Sequence, residues 1–155
     1  MLFRSETPDT VAAREAWLAQ HGPAHPVTVA IADGAVVGWA ALSPFHPRSA
    51  YRFTVENAVY VHPAHLRCGH GGALLADLVS RAPGLGHRAV VALIDASQDA
   101  SLHLHERHGF RRAGRLTNVG YKFGRWLDLI YMEWEPPAAE PQGARPETAM
   151  GGVTL

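Results

Sequence analysis

Gly69, Gly71 and Gly72 stand directly ahead of an apolar stretch, 73–79, with a helical pattern. Glycine lets backbone come close to a bound group. The first turn of a helix adds unpaired N–H groups and about half a positive charge, so a loop of this kind running into a helix suits a phosphate or pyrophosphate. The same glycines also serve plain turn geometry, and spacing alone does not separate the two uses. No Lys-Ser/Thr pair follows Gly72, so this is not a P-loop, and the order is not the G-x-G-x-x-G of a dinucleotide fingerprint. Glu56 is a second candidate, a carboxylate set among Val55, Ala58 and Val59. In a strand it is either a solvent-facing alternate residue or a base held in apolar surroundings. His103, His105 and His108 recur at helical spacing, with His62 and His65 upstream, yet no carboxylate or thiolate set at a recognised ligand spacing joins them, and no metal is expected. Cys68 lies inside the glycine loop.

The elements that must hold these groups follow from periodicity and punctuation. Residues 8–21 read as a short amphipathic helix with Thr10 or Asp9 as N-cap and Gly22-Pro23 as its stop. Two β-prone runs, 27–32 and 35–42, flank Asp33-Gly34, a dipeptide suited to a type I′ hairpin turn. A third strand is predicted within 51–61, then the turn-rich loop 62–72, the helix 73–79, and a nearly unbroken apolar run, 88–94, as expected of a strand covered on both faces. A helix over 101–108 closed by Gly109 and two final strands, 115–121 and 127–134, complete an α/β layered domain. The segment 136–155 is rich in Pro, Ala, Gly and Glu and is predicted to be disordered.

The 155 residues suffice for one domain, and 47% hydrophobic content is enough for one core. Fourteen basic residues balance fourteen acidic ones, so no overall field draws nucleic acid or an anionic membrane, and a small molecule is the expected partner. A single cysteine excludes an internal disulfide and fits a reducing compartment. Arg4 and Glu6 stand where a signal peptide needs an apolar run, and no apolar stretch approaches the ~20 residues of a membrane span. The expected location is the cytoplasm.

Four blocks in order carry a resemblance: Thr54-Val55-Glu56-Asn57-Ala58-Val59-Tyr60-Val61, the glycine loop, Leu104-His105-Glu106-Arg107-His108-Gly109-Phe110, and Gly120-Tyr121-Lys122-Phe123-Gly124-Arg125-Trp126-Leu127-Asp128. Together with Phe3-Arg4-Ser5-Glu6-Thr7-Pro8 and Arg48-Ser49-Ala50-Tyr51, they resemble the phosphinothricin acetyltransferase family. The resemblance implies a GNAT (acyl-CoA N-acyltransferase) fold over 1–135: a mixed, mostly antiparallel sheet flanked by helices, here without the usual first strand and helix, which leaves a sheet edge open to a second chain. It implies acetyl transfer from acetyl-CoA to the primary amine of a small amino-acid-like acceptor, and a homodimer in which residues 122–128 serve the interface.

By the same resemblance, Val59, Tyr60 and Val61 pair with the pantetheine arm, and Arg67, Cys68, Gly69, His70, Gly71 and Gly72 hold the pyrophosphate. Glu56 falls on the family's catalytic glutamate, and the chemistry has a use for it, because an amine that is mostly ammonium at neutral pH must lose a proton before attacking a thioester. His105 falls on a histidine near the acceptor, as a proton relay or an orienting contact. Arg48 and Tyr51 fall on positions that contact an acceptor carboxylate. Two departures stand out. Leu66 replaces the Gln or Arg that usually opens the loop, and Gln98 replaces an Asn near the CoA thiol. The other reading they leave open is a CoA-binding module without catalysis.

Overall fold

The computed structural model describes residues 8–137, so most of the predicted tail lies outside the described residues. Helix α1, Val11–Ala19, is capped by Thr10, whose hydroxyl accepts the Ala13 N–H at 3.2 Å. Strands β1 (Val27–Ala32) and β2 (Ala35–Pro44) form the predicted hairpin, with φ of 50° at Asp33 and 76° at Gly34, the pair of positive values a type I′ turn needs. Strand β3 runs Thr54–Val61 and β4 runs Ala89–Asp95. Helix α3 is Asp99–Arg107, and β5 (Arg111–Lys122) and β6 (Arg125–Trp134) form a second hairpin around Phe123-Gly124.

Helix α2, His70–Arg81, starts earlier than the apolar pattern predicts, so that Gly71 and Gly72 sit in its first turn rather than in the loop. Glycine is a poor helix former, and tertiary packing overrides that preference here. A Cβ on Gly71 would lie 3.4 Å from a Leu104 methyl and one on Gly72 3.6 Å from the His108 ring, ordinary contact distances that set the first turn of α2 against α3.

The six strands described form one sheet in the order β1-β2-β3-β4-β6-β5, antiparallel at every junction except β3–β4. This is the mixed, mostly antiparallel sheet expected. One face carries the core: Leu74, Leu75 and Leu78 of α2 and Leu102 of α3 close over Ala40, Leu42, Val55 and Val90, all 4% exposed or less. Each such large aliphatic side chain contributes about 1.5–3 kcal/mol on burial. The opposite face of β2 receives α1, with Trp17 against Trp39 at 5.3 Å and His21 Nε2 bonded to Ser43 Oγ at 3.0 Å.

Candidate active site

Strands β3 and β4 stay together only briefly. Thr54, Val55 and Glu56 pair in parallel with Ala89, Val90 and Val91, and beyond Glu56 the two strands part. Each is held by its other neighbour: β3 follows β2 as far as Val61 opposite Gly38, and β4 follows β6 as far as Asp95 opposite Leu129. The result is a cleft of about 280 Å³, bordered by residues 56–60 of β3, residues 92–95 of β4, and Gln98, Ser101 and His105. Beyond Glu56, the edge of β3 facing the cleft pairs with none of the described strands.

Side chains along β3 alternate between the two faces. Asn57 turns to α3, and Val59 and Val61 pack on the core beneath α2. Glu56, Ala58 and Tyr60 point the other way, where Tyr60 stacks on Trp39 at 4.5 Å. Glu56, half-buried, therefore borders the cleft on the face away from α2 and α3.

His105 is 4% exposed, and both of its ring nitrogens are engaged. Nδ1 lies 2.8 Å from the Ser101 carbonyl oxygen, which can only accept, so Nδ1 carries the proton. Nε2 of the neutral ring must then accept, and it takes the Asn57 Nδ2–H at 3.0 Å. Burial is the main influence holding the His105 pKa below its ordinary value; the bond to Ser101 works in the opposite sense, and nearby His108 lowers it further. Both of the ring's partners are amide groups, which neither take up nor release a proton readily, so this geometry holds the ring in an orienting pair.

At the end of β3 the chain makes a short 3₁₀ turn, Pro63–His65, capped by the His62 ring, and then reaches α2. Gly69 takes the N-cap position of α2 at φ 84°, so no N-cap side chain accepts from the first-turn amides. Arg67, at φ 63°, and Cys68 are exposed around them, and His70 is half-buried. Gln98 is the N-cap of α3 and also has no side-chain cap bond.

Residues 2–110 match the Acetyltransferase (GNAT) family model. The chain belongs to that family. It is 44% identical to the phosphinothricin N-acetyltransferase of Alcaligenes faecalis over 70% of its length, and spans only 55% of that protein. It is 41% identical to the L-methionine sulfoximine/L-methionine sulfone acetyltransferase of Pseudomonas paraeruginosa, over 83% of this chain and 76% of the relative. The crystal structure of a GNAT superfamily phosphinothricin acetyltransferase from Sinorhizobium meliloti, in complex with acetyl-CoA, superposes with a TM-score of 0.82 at 37% identity, over 92% of this chain and 80% of the other.

Among the site residues read from the sequence of this GNAT chain, Glu56, Val59, Tyr60, Gln98 and His105 meet at the cleft. Arg48 and Tyr51 do not. They sit exposed on the turn before β3, Tyr51 beside His46 at 5.0 Å. Two cleft residues escaped sequence reasoning. Asn57 is 6% exposed, and its Oδ1 has no hydrogen-bond partner. Asp95 accepts from the Ser97 N–H and hydroxyl through Oδ1, while its buried Oδ2 has no hydrogen bond and lies 3.7 Å from Arg125. Strand alternation beside Glu56 was the one available signal for Asn57; nothing marked Asp95. Among the described residues no group of three potential ligands gathers for a metal, and no helix is long and apolar enough to cross a membrane.

Proposed function

We propose that this chain moves the acetyl group of acetyl-CoA to the primary amine of a small amino-acid-like acceptor, with phosphinothricin and methionine sulfoximine or sulfone as the model chemistry. The observation that carries this reading is the parting of β3 from β4 directly after Glu56, which joins a carboxylate, a bare strand edge and an uncapped helix start in one cleft. The residues fit the cofactor: an extended arm with amides matches an open strand edge, a pyrophosphate matches the α2 N-terminus, and the orphaned Asn57 Oδ1 awaits a donor.

Acetyl-CoA supplies an acetyl group activated as a thioester. Val59, Tyr60 and Val61 bind its arm through backbone hydrogen bonds, and residues 67–72 bind the pyrophosphate, chiefly through amides. N–H groups on the open edge of β3 donate to the acetyl carbonyl oxygen. Glu56, on the face away from α2 and α3, takes the acceptor's ammonium proton directly or through one water. Cofactor and acceptor thus reach the cleft from opposite faces of the sheet. Arg48 and Tyr51 would have to reach the acceptor's carboxylate from the turn before β3, outside the cleft.

The enzyme works in the cytoplasm, and two copies pair through the β5–β6 hairpin. There Tyr121 (59% exposed), Phe123 (73%) and Trp126 (63%) form the kind of apolar patch that solitary soluble chains rarely present.

Release of free thiol from acetyl-CoA, measured with phosphinothricin, methionine sulfoximine and methionine sulfone, tests the reaction. Turnover should depend on the acceptor and fall at least ~10²-fold in Glu56→Gln. Turnover that survives the substitution would remove Glu56 as the base. No turnover with any amine would overturn the enzymatic reading.

A further inference from the structure

Asn57 occupies a position the reaction as described does not use. It is 94% buried, borders the cleft, and spends its amide N–H on His105 Nε2, leaving Oδ1 without a partner. The orientation is not arbitrary. Because the Ser101 carbonyl fixes the His105 proton on Nδ1, Nε2 accepts, and the Asn57 amide must present its NH₂ to the ring and its oxygen elsewhere. A buried carbonyl oxygen left unbonded is costly, and native proteins keep few of them without a use. Asn57 also shares its face with Val59 and Val61, the side of the sheet where α2 and α3 lie, whereas Glu56 is on the other.

We infer that Asn57 is a cofactor-reading residue, whose Oδ1 accepts a hydrogen bond from an amide N–H of the acetyl-CoA arm, and that His105 is its positioning residue, fixing which end of the Asn57 amide faces the cleft. This rests on the acetyl-CoA reading above. The acceptor amine is the competing source of an N–H, and the face alternation assigns it to Glu56 instead. On this view the two neighbouring residues divide the two substrates between them, each by the side of the strand it occupies.

Calorimetric binding of two probes to the full chain separates the possibilities: acetyl-CoA, and adenosine 3′,5′-bisphosphate, which has the nucleotide but no arm. In Asn57→Leu, acetyl-CoA should bind about 10-fold more weakly while the bisphosphate binds as before. His105→Leu should show the same selective loss. His105→Gln, whose side-chain oxygen can accept the Asn57 N–H, should stay within about 3-fold of the natural chain. Equal acetyl-CoA affinity in Asn57→Leu and the natural chain would overturn the inference. So would unchanged affinity together with a raised KM for the amine, which would give Oδ1 to the acceptor. Parallel loss of both probes would reduce Asn57 to a structural residue. If the natural chain bound the bisphosphate and acetyl-CoA no better than unrelated nucleotides, the functional reading would fail, and the inference with it.

Discussion

Over Val55 and Glu56, strand β3 pairs with a strand on each edge; over the next five residues, among the described strands, it pairs with β2 alone. Both stretches are rich in β-prone residues, and each carries one strongly polar side chain, Glu56 or Asn57. Their surroundings differ. Val55 and its partner Val90 are fully buried, whereas Ala58, Val59, Tyr60 and Val61 are only partly so. The closed end gives the sheet its continuity. The open end leaves a strand edge that none of the described strands pairs with. A binding cleft here is made by withholding one strand's hydrogen bonds rather than by adding a special sequence.

The largest effect should come from breaking the support of the open end. Gly38 lies under Tyr60, and a Cβ placed on it would come 2.7 Å from the Tyr60 carbonyl oxygen, a distance real side chains do not adopt. Since that atom belongs to backbone, relief requires β3 to move relative to β2. Gly38→Ala should therefore cost about 1–3 kcal/mol in urea unfolding. It should also weaken acetyl-CoA binding beyond that of a core variant of equal stability such as Val55→Ala at the closed end. Equal binding in the two variants would mean that the position of the open edge does not matter.

A smaller effect concerns protons. The folded-state pKa of His105 is lowered, chiefly by burial, so the unfolded chain holds a proton that the native chain refuses. The sign follows: the full stability is present above the unfolded value of 6.5 and is lost as pH falls below it toward the lower native value. His25, lowered by burial first and then by His87 and His21, adds in the same direction. Asp128, whose pKa Arg115 lowers, gives up its contribution only when pH falls below the carboxylate range, outside this window. Urea midpoints should thus decline between about pH 7 and pH 5.5, and less steeply in His105→Gln. An unaltered slope in that variant would show that the Asn57–His105 pair does not stay neutral in the native state.

How much of this was readable in the sequence depends on the range of the interaction. The two hairpins and the Thr10 cap are local, and the dipeptide Asp33-Gly34 was enough to place a turn. The start of α2 was misplaced because Gly71 and Gly72 look like loop residues until α3 is set against them. The Asn57–His105 bond spans 48 positions and joins a strand to a helix, so no window of sequence contains it. The parting of β3 and β4 is legible least of all. It arises from the competing claims of β2 and β6, and the residues at the point of parting are ordinary strand residues. Glu56 and the glycine loop stood out by residue type and spacing, but which of their alternative uses applied could be read only through likeness to a family.

The mildest test sharpens the outer limit of the open end, where the strand edge gives way to the pyrophosphate loop. Leu66, 57% exposed, stands ahead of Arg67 and Gly69 and offers nothing to a phosphate. If the uncapped amides of α2 carry most of the anion binding, Leu66→Arg should tighten acetyl-CoA by only about 2–5-fold, the size of a partly solvated ion pair. That gain should vanish at high ionic strength, because exposed charges are screened while backbone amides inside the loop are not. Affinity measured for both chains at low and high salt decides the matter. A gain much larger than this, or one that resists salt, would mean that the loop's own amides bind the anion poorly and that side-chain charge, not the helix start, is what the closed and open ends of β3 lead up to.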